Sequence, residues 1–298
     1  MRLHSDIDKN KELILESIRK FGYSAEHNYF HYKFLANKKW KPVFAEIDGS
    51  KGVMALLNED KKIWKMVGGV IAPEKERIGT FTGFLEKVLE EKGSKIFIEV
   101  ETDFRKEILR ELEKKYKVSS TNYILHWPVY ELSLLDENLN GKKWKKIRNI
   151  RNRFKSMGVK SKDDLSESSE SMLEVLEKWL AKRPHNDSVD VNYYRNVIKN
   201  NFEGFDIARA FELNGKISSI SAGWKVPNSG RFYWSIGIHD YSHKELSEFL
   251  NFEDLTLAKK TGYEFAELGG SDKNLLMSKR KFNPSEIYKT HIFSLRKS

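Results

Sequence analysis

The sequence predicts an α+β protein made of two successive units of the same element order, joined by a basic helix. Three observations predict it. First, the order strand–turn–strand–turn–strand–helix–strand occurs twice along the chain. Second, 298 residues suffice for about two ordinary domains, each with its own core. Third, the net charge of +10 is largely one local feature between the two halves. KKWKKIRNIRNRFK (142–155) holds eight positive residues and no negative one, leaving +2 for everything else.

In the first half, the spacing predicts a helix over 9–20, with Ile14, Leu15 and Ile18 as its apolar stripe and Gly22 as its end. Helical turns follow over 29–35. The period then changes. Residues 42–48, 53–58 and 63–70 read as three strands, joined by Gly49-Ser50-Lys51-Gly52 and Asn58-Glu59-Asp60, both hairpin-turn chemistry. A helix follows, with Phe84, Leu85, Val88 and Leu89 on one face and Gly93 as its stop. KIFIEVE (95–101) reads as a buried strand. Another helix carries Phe104, Ile108, Leu109 and Leu112. Residues 123–132 form a further strand, in which Pro128 points to a bulge or an edge.

After the basic segment, the polar stretch SKDDLSESSES reads as a loop. The next helix turns Met172, Leu173, Leu176, Trp179 and Leu180 inward and is limited by Pro184. The earlier order then returns. Residues 206–213, 217–226 and 231–238 are strands, with Asn214-Gly215 and Pro227-Asn228-Ser229-Gly230 as turns. A capping box, Ser242 with Glu245, opens a helix with the stripe Leu246, Phe249, Leu250 and Leu257, and Gly262 stops it. EFAEL (264–268) is the following strand. The boundaries read from this order are 1–135 for the first unit, 136–164 for the basic helix and loop, and 165–298 for the second unit.

Composition narrows the function. Hydrophobic residues at 39% and aromatic residues at 12% make a globular chain. The absence of cysteine excludes a disulfide scaffold, a Cys-ligated zinc site, an iron–sulfur cluster and a thiol nucleophile. The start of the chain has no apolar signal core, and no stretch approaches the roughly 18 apolar residues of a membrane span. The expectation is a soluble, cytoplasmic protein without an integral membrane segment. No G-x-S-x-G elbow, Walker A loop or G-x-G-x-x-G is present, so hydrolase, NTPase and dinucleotide-enzyme readings have no support. His239 and His243 with Asp240 invite a metal reading. With Ser242 as the helix cap, however, the two histidines do not share a helical face, and no metal is expected.

Two segments carry a resemblance. One runs from Gly141-Lys142-Lys143-Trp144-Lys145-Lys146-Ile147-Arg148 to Asn152-Arg153-Phe154. The other runs from Glu267-Leu268-Gly269-Gly270-Ser271-Asp272 to Lys279-Arg280-Lys281-Phe282-Asn283-Pro284. Together with the doubled element order, they resemble the tandem aminoacyltransferases of the acyl-CoA N-acyltransferase fold, known as GNAT. The similarity is to the C-terminal domain of phosphatidylglycerol lysyltransferases and its stand-alone relatives, with Fem-type peptidoglycan aminoacyltransferases as more distant cousins. The resemblance implies two tandem GNAT-like units and transfer of an aminoacyl group from aminoacyl-tRNA to an amine or hydroxyl acceptor. It implies no permanently bound cofactor. The acceptor is expected to be a small molecule, a peptide or a lipid; the membrane spans that precede this domain in membrane-bound lysyltransferases are not found in this sequence, which counts against the lipid. GNAT enzymes that use acetyl-CoA carry a Q/R-x-x-G-x-G/A loop before the central helix. Ile238 to His243 has no glycine, and Pro73 to Gly79 has one glycine and two acids, so a donor other than acetyl-CoA is favoured.

Site candidates follow from position and chemistry. Glu267, near the end of the strand 264–268, is read as a general base for the nucleophile or as a strand carboxylate paired with Lys or Arg. Lys279 holds a motif position that the resemblance assigns to the aminoacyl-tRNA end, and it is read with Glu267 as catalytic; Lys281 is the accompanying binding residue. Gly269, Gly270, Ser271 and Asp272 form a turn at a strand end, where ligands of α/β sheets gather. Arg148, Asn152 and Arg153 lie in the segment expected to hold phosphates of tRNA or of another phosphate-rich ligand. Trp224 and Trp234 offer a stacking surface or pack in the core. Two other functions stay open: acetyl-CoA- or acyl-CoA-dependent N-acylation, and non-catalytic binding of RNA or an anionic surface.

Overall fold

The computed structural model describes residues 1–183 and 189–298, so the expectation that Pro184 limits a helix lies outside the described residues. In chain order the first elements are β1 (Arg2–His4), α1 (Lys11–Phe21), α2 (Tyr29–Phe34), β2 (Lys41–Asp48), β3 (Lys51–Asn58) and β4 (Ile63–Ile71). Next come α3 (Arg77–Val88), β5 (Lys95–Glu101), α4 (Thr102–Leu112), β6 (Tyr116–Val118) and β7 (Tyr123–Glu131). Then follow α5 (Lys145–Ser156), β8 (Lys160–Lys162), α6 (Ser169–Ala181), α7 (Val191–Lys199), β9 (Ile207–Leu213) and β10 (Lys216–Lys225). The chain closes with β11 (Arg231–His239), α8 (Leu246–Lys260), β12 (Phe265–Glu267), α9 (Lys273–Lys279) and β13 (Glu286–Lys297). No helix among the described residues is long and apolar enough to cross a membrane.

The chain divides into two compact units. The first comprises residues 1–126, 226–229 and 288–298. Its strands β2, β3 and β4 form an antiparallel meander, and β5 pairs in parallel with β4. The alternation of each strand sends side chains to two different cores. Val43, Ala45, Val53 and Ala55 meet Phe81, Phe84 and Leu85 of α3 and Ile108 of α4. Their neighbours Phe44, Met54 and Leu56 meet Ile14 and Ile18 of α1 and Tyr29 and Tyr32 of α2. Both faces are thus covered, which explains runs such as VMALL that are apolar throughout. Helix α3 ends at Val88, and Gly93, expected as its stop, instead turns the loop four residues beyond Leu89 with φ +90°.

The second unit comprises residues 127–225 and 230–287. Strands β9, β10 and β11 repeat the antiparallel meander, and β12 pairs in parallel with β11. Short β8 extends the sheet beyond β9, and β7 pairs antiparallel with β12. Phe211, Phe232 and Trp234 of the sheet pack with Phe249, Leu250 and Leu255 of α8 and with Ile147, Ile150 and Phe154 of α5. The basic helix is therefore a core element of this unit by its apolar stripe, rather than a connector. The C-terminal strand has a similar lesson. Residues 290–296 of β13 pair antiparallel with β5, so they complete the first unit.

Each unit repeats one irregularity in its third strand. In the first, Val53 pairs with Val70 but Met54 pairs with Val67, so Gly68 and Gly69 of β4 are extra. In the second, Ala222 pairs with Ile236 but Gly223 pairs with Trp234, so Ser235 of β11 is extra. Such bulges bend a strand and end its pairing. Parallel pairing of β4 with β5 accordingly covers only Ile63–Lys65 against Lys95–Phe97, and that of β11 with β12 only Arg231–Tyr233 against Phe265–Glu267. Beyond those positions the parallel strands part.

Candidate functional site

The parting of β11 and β12 builds the candidate site of the second unit. After Glu267, the last paired residue of β12, the chain turns through Leu268, Gly269, Gly270 and Ser271, with Gly269 at φ +82°. Asp272 stops the turn: its Oδ1 accepts from Leu275 N–H at 2.7 Å and caps α9. This short helix then carries Lys279 back onto the turn. Lys279 Nζ donates to Leu268 O at 2.5 Å and to Gly269 O at 2.9 Å, while its own carbonyl accepts from the Tyr130 hydroxyl at 2.9 Å.

Burial sets the chemistry of that amine. Lys279 is 6% exposed, and desolvation pulls its pKa down to about 7, with Asp272 opposing. A neutral amine has two N–H bonds and one lone pair. Both N–H bonds are occupied by the two carbonyls, so the lone pair remains for a proton. Lys279 is thus built to exchange a proton near neutral pH.

The other residues of the split are placed as follows. Glu267 is 1% exposed and accepts from Arg231 Nη1 at 3.0 Å. Ser271 is fully buried and donates to Gly269 O at 3.3 Å. The Tyr233 ring lies beside Gly269 and packs against Trp224 (5.2 Å) and Trp127 (5.9 Å). Trp234, one residue further on, belongs to the core beneath α8. Of the two tryptophans read as a stacking surface or as core, Trp224 therefore joins the Tyr233 cluster and Trp234 packs in the core. Tyr233 shares the aromatic strand segment read from the sequence as a stacking surface or core, whereas Arg231 and Tyr130 were not singled out as site residues. Their signal was strand alternation with Glu267 and Trp224, readable only once the pairing is known.

Residues 142–155 separate into two groups. The arginines are engaged within the unit. Arg148 Nη1 donates to Leu139 O, and also to Gly141 O at 3.4 Å. Arg151 pairs with Glu253 at 3.1 Å, and Arg153 pairs with Glu245 at 3.1 Å. Arg153 also donates to Lys244 O at 2.6 Å. By contrast, Lys142, Lys143, Lys145 and Lys155 are exposed and make no ion pair among the described residues, and Asn152 is exposed beside them. Trp144, Ile147, Ile150 and Phe154 are the buried stripe beneath.

The start of α8 departs from the expected capping box. Ser242 N–H bonds Asp240 Oδ1 at 2.8 Å, and Glu245 precedes the helix in the left-handed region with φ +65°. Asp240 competes for the N–H and holds Ser242 outside the helix. Two carboxylates then occupy the helix start. Glu245 receives Arg153 and Lys146, and Glu248 receives Lys281 Nζ at 2.6 Å. Nearby His239 is neutral, burial pushing its pKa down to about 4. Among the described residues no three His, Asp or Glu side chains are grouped to hold a metal ion.

Solved structures place this architecture among known folds. The structure of L-PGS from Bacillus licheniformis superposes with a TM-score of 0.68 at 15% identity, covering 96% of this chain and 92% of that one. A conserved protein of unknown function from Bacteroides thetaiotaomicron gives 0.71 at 15% identity, over 99% and 100% of the two chains. A tandem GNAT protein from the clavulanic acid biosynthesis pathway gives 0.58 at 10% identity, over 99% and 98%. At these identities the likeness shows the fold, two GNAT-type units in one chain. No curated protein matches the chain. The family model described as "Phosphatidylglycerol lysyltransferase, C-terminal" matches residues 34–290, and the chain belongs to that family of GNAT-fold acyltransferases.

Proposed function

We propose that the second unit transfers an aminoacyl group from aminoacyl-tRNA to an amine or hydroxyl acceptor, in the cytoplasm and without a permanently bound cofactor. The family carries the name of a lysyltransferase, which supports an aminoacyl donor. The observation that carries the reading is the start of α8. An acyl-CoA donor of this fold needs free backbone N–H groups for its pyrophosphate there. This chain puts the Glu245 and Glu248 carboxylates there instead. Its uncommitted positive charge lies on the exposed lysines of 142–155, which suits an RNA backbone.

The chemistry follows from the split strands. The acceptor's hydroxyl or amine attacks the ester carbonyl carbon, and its proton passes to the free lone pair of Lys279. The bond to the ribose oxygen breaks, and Lys279 returns the proton to that oxygen. Ser235, the extra residue of the bulge, interrupts the ladder and leaves backbone polar groups to face the oxyanion. The Trp224–Tyr233–Trp127 cluster offers an apolar wall for the acyl group.

The test is filter binding of labelled aminoacyl-tRNA with uncharged tRNA and acetyl-CoA as competitors, at two salt concentrations. Preference for charged tRNA, undisturbed by acetyl-CoA, is the expected result. Displacement by acetyl-CoA would move the chain to acyl-CoA-dependent N-acylation. Equal binding of charged and uncharged tRNA would leave a non-catalytic RNA-binding role.

A further inference from the structure

The first unit carries a second group of uncommitted cations, on one face of its sheet. Arg296 of β13 stands directly opposite Lys95 of β5 on one side and Lys117 of β6 on the other. Paired positions share a face, and neighbouring strands lie roughly 5 Å apart, so three positive side chains form one row across three strands. Like charges directly opposite one another repel, which makes the row a cost to the fold. Arg296 and Lys117 are exposed and Lys95 is half-buried, and none of the three makes an ion pair among the described residues. Acids of the adjoining turns and of α3 go to other lysines: Glu59 to Lys41, Glu86 to Lys115, Glu90 to Lys87 and Glu91 to Lys62. Glu99 and Glu101 share the face of Lys95 but stand toward the other end of β5.

Two rings lie beside the row, each with a lysine over it. Phe97, the next residue of β5 on the same face, is half-buried and has the Lys95 ammonium 4.5 Å from its centroid. Lys65 of β4 pairs in register with Phe97 and reaches over half-buried Trp40 at 4.2 Å. Exposed Lys38 and Lys39 precede Trp40 in the chain. The opposite side of these strands is core, where Ile96, Ile98, Phe293 and Leu295 pack with α3 and α4. On the side of the row, α1 and α2 cover the sheet with a core that stops at β4.

We infer that this face of the first unit binds single-stranded RNA, with phosphates on Lys95, Arg296 and Lys117 and bases stacked on Phe97 and Trp40. A ring capped by a lysine serves both needs of such a ligand. The exposed cation–π contact is weak, so a base takes the ring and the ammonium swings to the neighbouring phosphate. Stacking and charge pairing are then gained together. A base-paired duplex keeps its bases on one another and offers this face phosphates only. An anionic lipid surface needs apolar side chains that project beyond the cations, whereas Phe97 lies beneath Lys95. The inference rests on the first unit alone and stands whether or not the second transfers aminoacyl groups.

The test uses the full chain with Lys→Gln at 142, 143, 145 and 155, so that the lysines of the second unit do not contribute. Fluorescence anisotropy follows a labelled oligouridylate of about ten nucleotides carrying 5-iodouridine. It bears no aminoacyl ester, so the result is independent of aminoacyl transfer. Inorganic polyphosphate and phosphatidylglycerol vesicles are the comparison ligands. Saturable binding of the oligouridylate is expected, with photocrosslinks to Trp40 or Phe97. The triple change Lys95→Gln, Lys117→Gln and Arg296→Gln is expected to weaken it at least tenfold and to lower the slope of log K against log salt by roughly 2. The melting temperature of that variant is expected to stay the same or rise, because a repulsive row is gone. Phe97→Leu is expected to weaken the oligouridylate about fivefold or more and to leave polyphosphate binding as it was. Binding that survives the triple change, photocrosslinks away from both rings, equal losses of RNA and polyphosphate in Phe97→Leu, or tighter binding of the vesicles than of the oligouridylate would overturn the inference.

Discussion

Lys279 Nζ donates across 2.9 Å to the carbonyl oxygen of Gly269, so the last residue of α9 is tied to the turn ten residues before it. The tie fixes the amine where β11 and β12 part, and burial holds its pKa at about 7. If Lys279 takes the proton of the nucleophile, kcat/KM rises with pH through about 7 and then levels. Lys279→Met is expected to lower turnover about 10²–10⁴-fold, the usual worth of a positioned base, and to abolish that rise. A pH profile of the variant that keeps the inflection would remove Lys279 from the chemistry.

The same amine ties stability to pH. In the unfolded chain Lys279 holds its proton to about pH 10.4, but in the folded chain only to about 7. Between these values the unfolded state binds more protons, so the contribution of Lys279 to folding stability rises with pH, by at most about 1.4 kcal/mol per unit. Below about 7 the folded state buries a charge and gains nothing from this term. Lys279→Met removes it. The stability difference, variant minus wild type from urea unfolding, is expected to be largest below pH 7 and to shrink up to pH 10. A difference independent of pH would mean that the lysine ionises alike in both states.

The basic segment makes a separable prediction. Lys142, Lys143, Lys145 and Lys155 are exposed and make no ion pair among the described residues, whereas Arg148, Arg151 and Arg153 hold carbonyls and carboxylates of their own unit. Lys→Gln at any of the four is expected to lower the slope of log K against log salt for tRNA by roughly 0.7–0.9, with stability unchanged. Arg148→Ala and Arg151→Ala are expected to lower the melting temperature. Unaltered slopes in all four lysine variants would place the RNA contact elsewhere.

The doubled meander was legible because period-two apolar runs and Gly- or Asn-rich turns mark it locally. The rest depended on partners distant in sequence. Strand β13 is long, but only its later residues are well buried, so its alternation is blurred. Helices α7 and α9 are short and start from Asp190 and Asp272, caps that an unaided reading takes for turn residues. Ser242 and Glu245 had the right spacing for a capping box, but Asp240 bonds the Ser242 N–H first. Lys279 was found by its place in a motif, and nothing local announced its burial. The engagement of the arginines was hidden for the same reason: Glu253 lies 102 residues from Arg151.

A buried network fixes α8 on its sheet. Asp254 Oδ1 accepts from Arg209 Nη2 at 2.8 Å and from Ser221 Oγ at 2.7 Å, with all three residues buried. Asp254→Ala strands the guanidinium and is expected to cost about 3–5 kcal/mol. Replacing both members, Arg209→Met with Asp254→Leu, is expected to recover most of that loss, because no charge is then left unpaired. Urea unfolding of the three variants decides it. A double variant as unstable as Asp254→Ala would show that the ion pair itself, and not the avoidance of an orphan charge, holds α8.

The β4 bulge of the first unit is tested through its backbone. Gly69 has φ +95°, where a side chain costs about 1–2 kcal/mol, and a Cβ there would come within 2.9 Å of the Tyr23 hydroxyl. Gly69→Ala therefore carries two separable penalties, one from the dihedral and one from the contact. Tyr23→Phe removes the atom that is struck and leaves the dihedral as it is. In a double-mutant cycle, Gly69→Ala should cost less in the Tyr23→Phe background than in wild type, by the contact term alone. If the two costs are equal, the hydroxyl gives way freely and the backbone conformation is the whole reason for glycine. If the cost falls as expected, Gly69 is there so that Tyr23 can reach the edge of the splayed strand.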